Sequence, residues 1–218
     1  MTTIPKALQT ALKHHQSGNY QQAESIYRQI LEVDPAHVDA LHLMGLIAHQ
    51  VGNNDVAADY MRRAIRRKPS FPDAHNNLGN VLKALGKVEE ATASYREALR
   101  LKPNYPEAHN NLGNIYKEQG QLDRAVACYQ KALQLKPNYP DAYNNLGIVR
   151  MEMGELDKAI SCYQKAIRRR PQFPEAYNNL GNALKIQGKP NEAVAAFQQA
   201  LHLRPAFAEA LSLLTSAS

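Results

Sequence analysis

The 218-residue sequence contains no tryptophan, four phenylalanines and two cysteines. Two cysteines exclude a disulfide framework. Cys128 and Cys162 also stand 34 residues apart, at equivalent places in neighbouring units of a repeat. Helices so related lie roughly 8–10 Å apart, too far for unstrained disulfide geometry. Reduced thiols are therefore expected, and with them a cytoplasmic protein. No apolar run approaches the ~20 residues of a membrane span, so no membrane partner is expected. The opening Met1-Thr2-Thr3-Ile4-Pro5-Lys6 lacks the apolar core of a secretory signal. No nucleophile, base and orienting group recur together as a catalytic triad would require. His15, His42 and His49 are joined by no cysteine or carboxylate cluster, so no metal site is expected. The chain reads as non-enzymatic, with no cofactor.

Glycine is scarce in a more telling way. All eleven glycines obey one period, and none is left over for a phosphate-cradling loop. Gly18, Gly52, Gly86, Gly120, Gly154 and Gly188 fall 34 residues apart without a slip, as do Pro35, Pro69, Pro103, Pro137, Pro171 and Pro205. Ala23, Ala57, Ala91, Ala125, Ala159 and Ala193 do the same. A strict period of this length means a stacked solenoid, in which each unit buries its face against its neighbours. Six units span residues 4–37, 38–71, 72–105, 106–139, 140–173 and 174–207. No linker-like or low-complexity stretch interrupts them, so residues 1–218 are expected to form a single array. Residues 208–218 match the start of a seventh first helix, a partial or capping element. Its Leu211, Leu213 and Leu214 would support weak self-association through the C-terminal end.

Residues 72–105 show how one unit works. Pro72 suits the first turn of a helix, where its missing N–H would be unpaired anyway, and Asp73 complements the positive helix N-terminus. His75, Leu78 and Leu82 recur at helical spacing and predict a buried face. Gly86, at position 15 of the unit, ends the helix. Ala91, Tyr95 and Ala98 form the buried stripe of a second helix, which Pro103 closes. Gly79 at position 8 and Ala91 at position 20 let the paired helices approach closely. Phe71, Tyr105, Tyr139, Phe173 and Phe207 recur at position 34 and read as staples of the inter-repeat turn. Arg62, Arg63, Arg66, Arg67 and Lys68 crowd the end of one second helix, and Arg168, Arg169 and Arg170 that of another, where cations offset the helix dipole. The formal charge of +6 suits acidic partners. Nucleic acid is not expected, because the stacking aromatics of single-strand binders are not interleaved with these cations.

Small or Gly at position 8, Ala at 20, aromatic at 24, Ala at 27 and Pro at 32 resemble the tetratricopeptide repeat (TPR). The resemblance implies an all-α, right-handed superhelical solenoid whose first helices line a concave groove. At about 100° per residue, positions 2, 5, 6, 9, 12 and 13 of each first helix share the groove-facing side, and positions 4, 7 and 11 face the core. Position 6 is then a row of Asn77, Asn111, Asn145 and Asn179. Asn76, Asn110, Asn144 and Asn178 hold position 5, where a role in fixing one repeat to the next competes with ligand contact. Asn80, Asn114 and Asn182 hold position 9, with Ile148 breaking the row. Lys83, Lys117 and Lys185 hold position 12, with Met151 breaking it in the same unit. An asparagine amide offers two donors and an acceptor, so the ladder suits the backbone of an extended peptide, and the lysines favour carboxylates. The expected function is a protein-interaction scaffold that holds a peptide or partner segment in this groove.

The segments FPDAHNNLGN, YPEAHNNLGNIYKEQG and FPEAYNNLGNALK, with the opening HHQSGNYQQAESIYRQILEVDPAHVDALHLMGLIAHQVGN, look like repeats of the O-linked N-acetylglucosamine transferase family. That resemblance implies an alternative, the substrate-recognition arm of a glycosyltransferase whose catalytic region is absent from this sequence. It carries the family's asparagine ladder onto Asn77, Asn111, Asn145 and Asn179, but not onto repeats 1 and 2, where position 6 is Gln9 and Leu43.

Overall fold

Alternating short turns and amphipathic stripes of two lengths produce helices of two lengths. In the computed structural model, which describes residues 3–205, every first helix has 13 residues and every second helix 14. They are α1 (Ile4–Gln16), α2 (Tyr20–Val33), α3 (Val38–Gln50), α4 (Asn54–Arg67), α5 (Pro72–Ala84), α6 (Val88–Leu101), α7 (Pro106–Glu118), α8 (Leu122–Leu135), α9 (Pro140–Glu152), α10 (Leu156–Arg169), α11 (Pro174–Ile186) and α12 (Pro190–Leu203). The described residues are all-α. The capping segment expected at 208–218, with Leu211, Leu213 and Leu214, lies outside them, as does Phe207. The chain forms two compact units, Met1–Asn104 and Tyr105–Ser218. The first carries α1–α6 and the second α7–α12.

The turn inside each repeat depends on its glycine. Gly120 has φ +69°, a left-handed value that costs other residues about 1–2 kcal/mol. It lets its own N–H donate to Lys117 O at 2.9 Å and the Gln121 N–H to Tyr116 O at 2.8 Å. These two bonds satisfy carbonyls that the end of α7 would otherwise leave open. Pro106 opens α7 at its first turn.

The core within each of repeats 3–6 is an aromatic wedge on a glycine. Tyr95, Tyr129, Tyr163 and Phe197, all at position 24, are at most 1% exposed. Each meets the glycine at position 8 of its own repeat: a Cβ built on Gly79, Gly147 or Gly181 would lie 2.5 Å from the ring, and one on Gly113 2.8 Å. In repeat 1 the same register holds Ala11 and Tyr27, both fully buried in one cluster with Ala23 and Ile30.

The buried arc of the first helix is wider than the stripe of positions 4, 7 and 11. Position 3 (Ala74, Ala108, Ala142, Ala176) and position 10 (Val81, Ile115, Val149, Ala183) are fully buried. Position 4, expected in the core, is only partly buried at His75, His109, Tyr143 and Tyr177. A first helix packs both on its own second helix and on the preceding repeat, so its apolar face is rotated and broadened.

Charge closes each repeat of the second unit. Position 31 pairs with position 2 of the same repeat: Lys136 with Glu107 at 2.7 Å, Arg170 with Asp141 at 2.5 Å and Arg204 with Glu175 at 2.6 Å. The same cations lie over the staple rings, Lys136 over Tyr139 at 4.8 Å and Arg170 over Phe173 at 4.6 Å, and Lys68 covers Phe71 at 5.1 Å in the first unit. Such half-exposed pairs contribute about 0–1 kcal/mol each. Arg169 donates to Pro137 O at 2.7 Å and lies over Tyr143. The arginine-rich helix ends therefore hold neighbouring turns together as well as offsetting dipoles.

Candidate functional site

In the second unit, α7, α9 and α11 stand side by side and present positions 5, 6, 9 and 12 as rows. The position-5 asparagines are nearly inaccessible: Asn110 is 5%, Asn144 7% and Asn178 3% exposed, and Asn76 in the first unit is 4% exposed. This row was expected on the groove-facing side. It instead lies beneath the surface, where buried amides are retained only with hydrogen-bond partners. For Asn110 and Asn144 those partners come from the next repeat. Asn145 Nδ2 donates to Asn110 Oδ1 at 3.2 Å and to Asn114 Oδ1 at 3.1 Å, and Asn179 Nδ2 donates to Asn144 Oδ1 at 3.0 Å. In the first unit Asn77 Nδ2 donates to His42 Nε2 at 2.9 Å. Each of these position-6 asparagines thus ties its repeat to the position-5 residue of the repeat before.

Position 9 is shared in a second way. Tyr95 donates its hydroxyl to Asn80 Oδ1 at 2.8 Å, and Tyr129 to Asn114 Oδ1 at 2.7 Å. In repeat 5, where Ile148 replaces asparagine, the Tyr163 hydroxyl reaches only Met151 Sδ at 3.9 Å, a weak acceptor. In repeat 6, Phe197 carries no hydroxyl to give Asn182. Asn111, Asn145, Asn179, Asn114, Asn182, Lys117 and Lys185 all remain partly exposed in the second unit, as do Asn77, Asn80 and Lys83 in the first. The rows named from sequence are therefore at the surface, but much of their donor capacity is turned inwards. What Asn145 still offers to a ligand is its carbonyl oxygen, since both of its N–H groups are given to Asn110 and Asn114.

Two features escaped the sequence reading. The clamp between positions 31 and 2 was visible as a basic row (Lys68, Lys102, Lys136, Arg170, Arg204) and an acidic row (Asp39, Asp73, Glu107, Asp141, Glu175). The pairing of position 24 with position 9 was signalled only by tyrosine and asparagine occurring together in repeats 3 and 4. His15 and His49 do not form a site together. His15 Nε2 bonds Gln50 Oε1 at 3.1 Å and His49 Nδ1 bonds Asn54 Oδ1 at 2.6 Å. No group of three or more His, Cys, Asp or Glu able to hold a metal ion occurs among the described residues. Cys128 and Cys162 are free thiols, and burial pushes the Cys128 thiol up to about 11. No helix among the described residues is long and apolar enough to cross a membrane.

His42, the position-5 residue of repeat 2, is 8% exposed and packs edge-on against Phe71 at 4.8 Å. Burial holds its pKa below the usual histidine value, with Asp73 and Asp39 opposing that shift. The Asn77 bond acts the same way, because Nε2 can accept only while it is unprotonated. A depressed folded-state pKa means that the unfolded chain binds the proton first. The stability due to His42 is complete above about pH 6.5 and is lost as pH falls through the lower folded-state value. Unfolding by urea at pH 7.5 and at pH 5.5 should show a drop for the wild type that is smaller in His42→Asn, which carries the amide found in repeats 3–6. An equal drop in both proteins would contradict this assignment.

Paired helices stacked in a 34-residue register define a helical-repeat protein. Within that class, models described as TPR repeat match residues 79–120, 113–154 and 149–188. Models described as tetratricopeptide repeat match residues 8–72, 60–93 and 174–207. The chain belongs to the tetratricopeptide repeat family. Among solved structures it is similar to PilF of Pseudomonas aeruginosa, with 22% identity over 96% of each chain and a TM-score of 0.86. It is also similar to PilW, described as a widely conserved type IV pilus biogenesis factor, with 25% identity over 95% of this chain and 96% of that one and a TM-score of 0.85. YrrB, described as a TPR protein with an unusual peptide-binding site, is 20% identical over 86% of this chain and 96% of its own, with a TM-score of 0.67. No curated protein matches the chain.

Proposed function

We propose that this TPR protein is a non-catalytic scaffold that holds an extended peptide, or an extended segment of a partner protein, along α7, α9 and α11. The observation that carries this reading is the parallel alignment of Asn111, Asn145 and Asn179 with Lys117 and Lys185 on adjacent first helices. Asn145 presents a carbonyl oxygen that accepts a peptide N–H. The position-12 lysines bring ammonium donors for carboxylates at low side-chain selectivity otherwise. The fold accommodates such a role elsewhere, since YrrB is described as carrying a peptide-binding site; its likeness lends the fold and no residue. The recognition arm of an O-linked N-acetylglucosamine transferase-like enzyme would use the same ladder, and the similarity of the NNLGN segments is what supports that alternative.

Binding of a fluorescein-labelled peptide GSDGSGGSDGS, followed by anisotropy at low salt, tests the reading. Asn111→Ala combined with Asn145→Ala should weaken it about tenfold, the scale of one to two backbone hydrogen bonds. Because Asn145 also serves Asn110 and Asn114, the double variant should lose about 1–3 kcal/mol of stability. Binding must therefore be measured well below its melting temperature. Undiminished binding by the folded variant would reject the proposal.

A further inference from the structure

Ile148 does more than interrupt a row. In repeat 4, where position 9 is asparagine, Asn114 receives two donors: one N–H of Asn145, at position 6 of the next repeat, at 3.1 Å, and the hydroxyl of Tyr129, at position 24, at 2.7 Å. At Ile148 both donors lose their acceptor. Asn179 gives Nδ2 to Asn144 alone, so among the described residues its second N–H has no partner. Among the described residues the Tyr163 hydroxyl, on a side chain 1% exposed, has only the Met151 sulfur at 3.9 Å. The one repeat of the second unit with apolar residues at both positions 9 and 12 is thus also the one with unspent donors beside them. Ile148 and Met151 are partly buried against the cluster of Ile160, Tyr163, Ala183 and Leu184, which gives an apolar contact a rigid floor.

Resting on the groove reading above, we propose that Ile148 and Met151 receive an apolar side chain of the bound peptide, with a carboxylate one repeat away on either side at Lys117 and Lys185. Asn179, which is only partly buried, directs its second Nδ2 hydrogen to the peptide carbonyl at that step. Adjacent first helices lie about 10 Å apart and an extended chain advances about 3.3 Å per residue, so one repeat corresponds to about three residues. The preferred ligand reads acidic-x-x-apolar-x-x-acidic, a pattern that is the same in either chain direction.

The test compares GSDGSLGSDGS with GSDGSNGSDGS on the wild type and on Ile148→Asn/Met151→Lys, which restores the residues of repeats 3, 4 and 6 and should therefore fold. The wild type should prefer the leucine peptide about tenfold, as burial of a large aliphatic side chain implies. The double variant should lose that preference while still binding the asparagine peptide. Equal affinity of the wild type for both peptides overturns this inference and leaves the groove reading standing. Failure of the wild type to bind any of the three peptides, the all-glycine-centre one included, overturns both.

Discussion

Tyr129→Ala should destabilise the protein by about 4 kcal/mol, the scale for removing a fully buried aromatic side chain. The ring is 0% exposed and fills the gap left by Gly113 and Ala125 between α7 and α8. Neither small residue can close the cavity, so relaxation is limited. The hydroxyl separates three cases that the sequence makes look alike. Tyr129→Phe removes one of the two donors to Asn114 and should cost about 1 kcal/mol. Tyr163→Phe removes only a sulfur contact and should be within about 0.5 kcal/mol of wild type. Tyr27→Phe removes a buried hydroxyl that has no partner among the described residues and should be neutral or stabilising. Urea unfolding followed by circular dichroism gives the order directly. Equal costs for all three phenylalanine variants would show that position 9 does not govern the tyrosine.

Gly147→Val should cost about 3 kcal/mol, at the upper end for overpacking a core. Its Cβ would sit 2.5 Å from Tyr163 Cε1, 2.8 Å from Cδ1 and 3.0 Å from Cζ, against a ring that is itself enclosed and cannot swing away. Valine also adds a branched side chain to the helix interior. Gly147→Ala should cost less, because repeat 1 already carries Ala11 at this position beside a buried Tyr27; the helix propensity that alanine gains offsets about 1 kcal/mol. Gly154→Ala probes the other glycine register. Among the described residues nothing lies within 4 Å of a Cβ there, but φ is +75°, so only backbone strain of about 1–2 kcal/mol is added. Thermal melts should therefore rank valine at 147 as the most damaging of the three. A Gly147→Val protein that melts with the wild type would refute the wedge-on-glycine packing.

Period and phase made the fold legible: glycine, proline and alanine mark every turn and every close helix contact, because each is required by backbone geometry or by lack of space. The rows of Asn77, Asn111, Asn145 and Asn179 and of Lys83, Lys117 and Lys185 followed from the same phase. Periodicity does not reveal where an amide's hydrogen bonds go. An asparagine three residues from the next polar row can bond outwards to a ligand or sideways to its neighbour, and the choice depends on the distance between repeats. That distance is set by the alanines at position 3 and the aliphatic residues at position 10, which a narrower stripe left out of the core. Asn110 and Asn144 are consequently buried struts. The breaks at Ile148 and Met151 were visible at once, but their effect on Tyr163 and Asn179 required knowing which donors they stranded.

We propose that α7, α9 and α11 form the ligand-binding face. This is tested most directly by following side-chain amide and lysine resonances while GSDGSLGSDGS is titrated into the protein. The expected result is a footprint on Asn111, Asn145, Asn179, Lys117 and Lys185, with the second-helix residues Lys131, Lys158 and Lys165 unmoved. A footprint confined to the second helices, with the asparagine row unchanged, would contradict it.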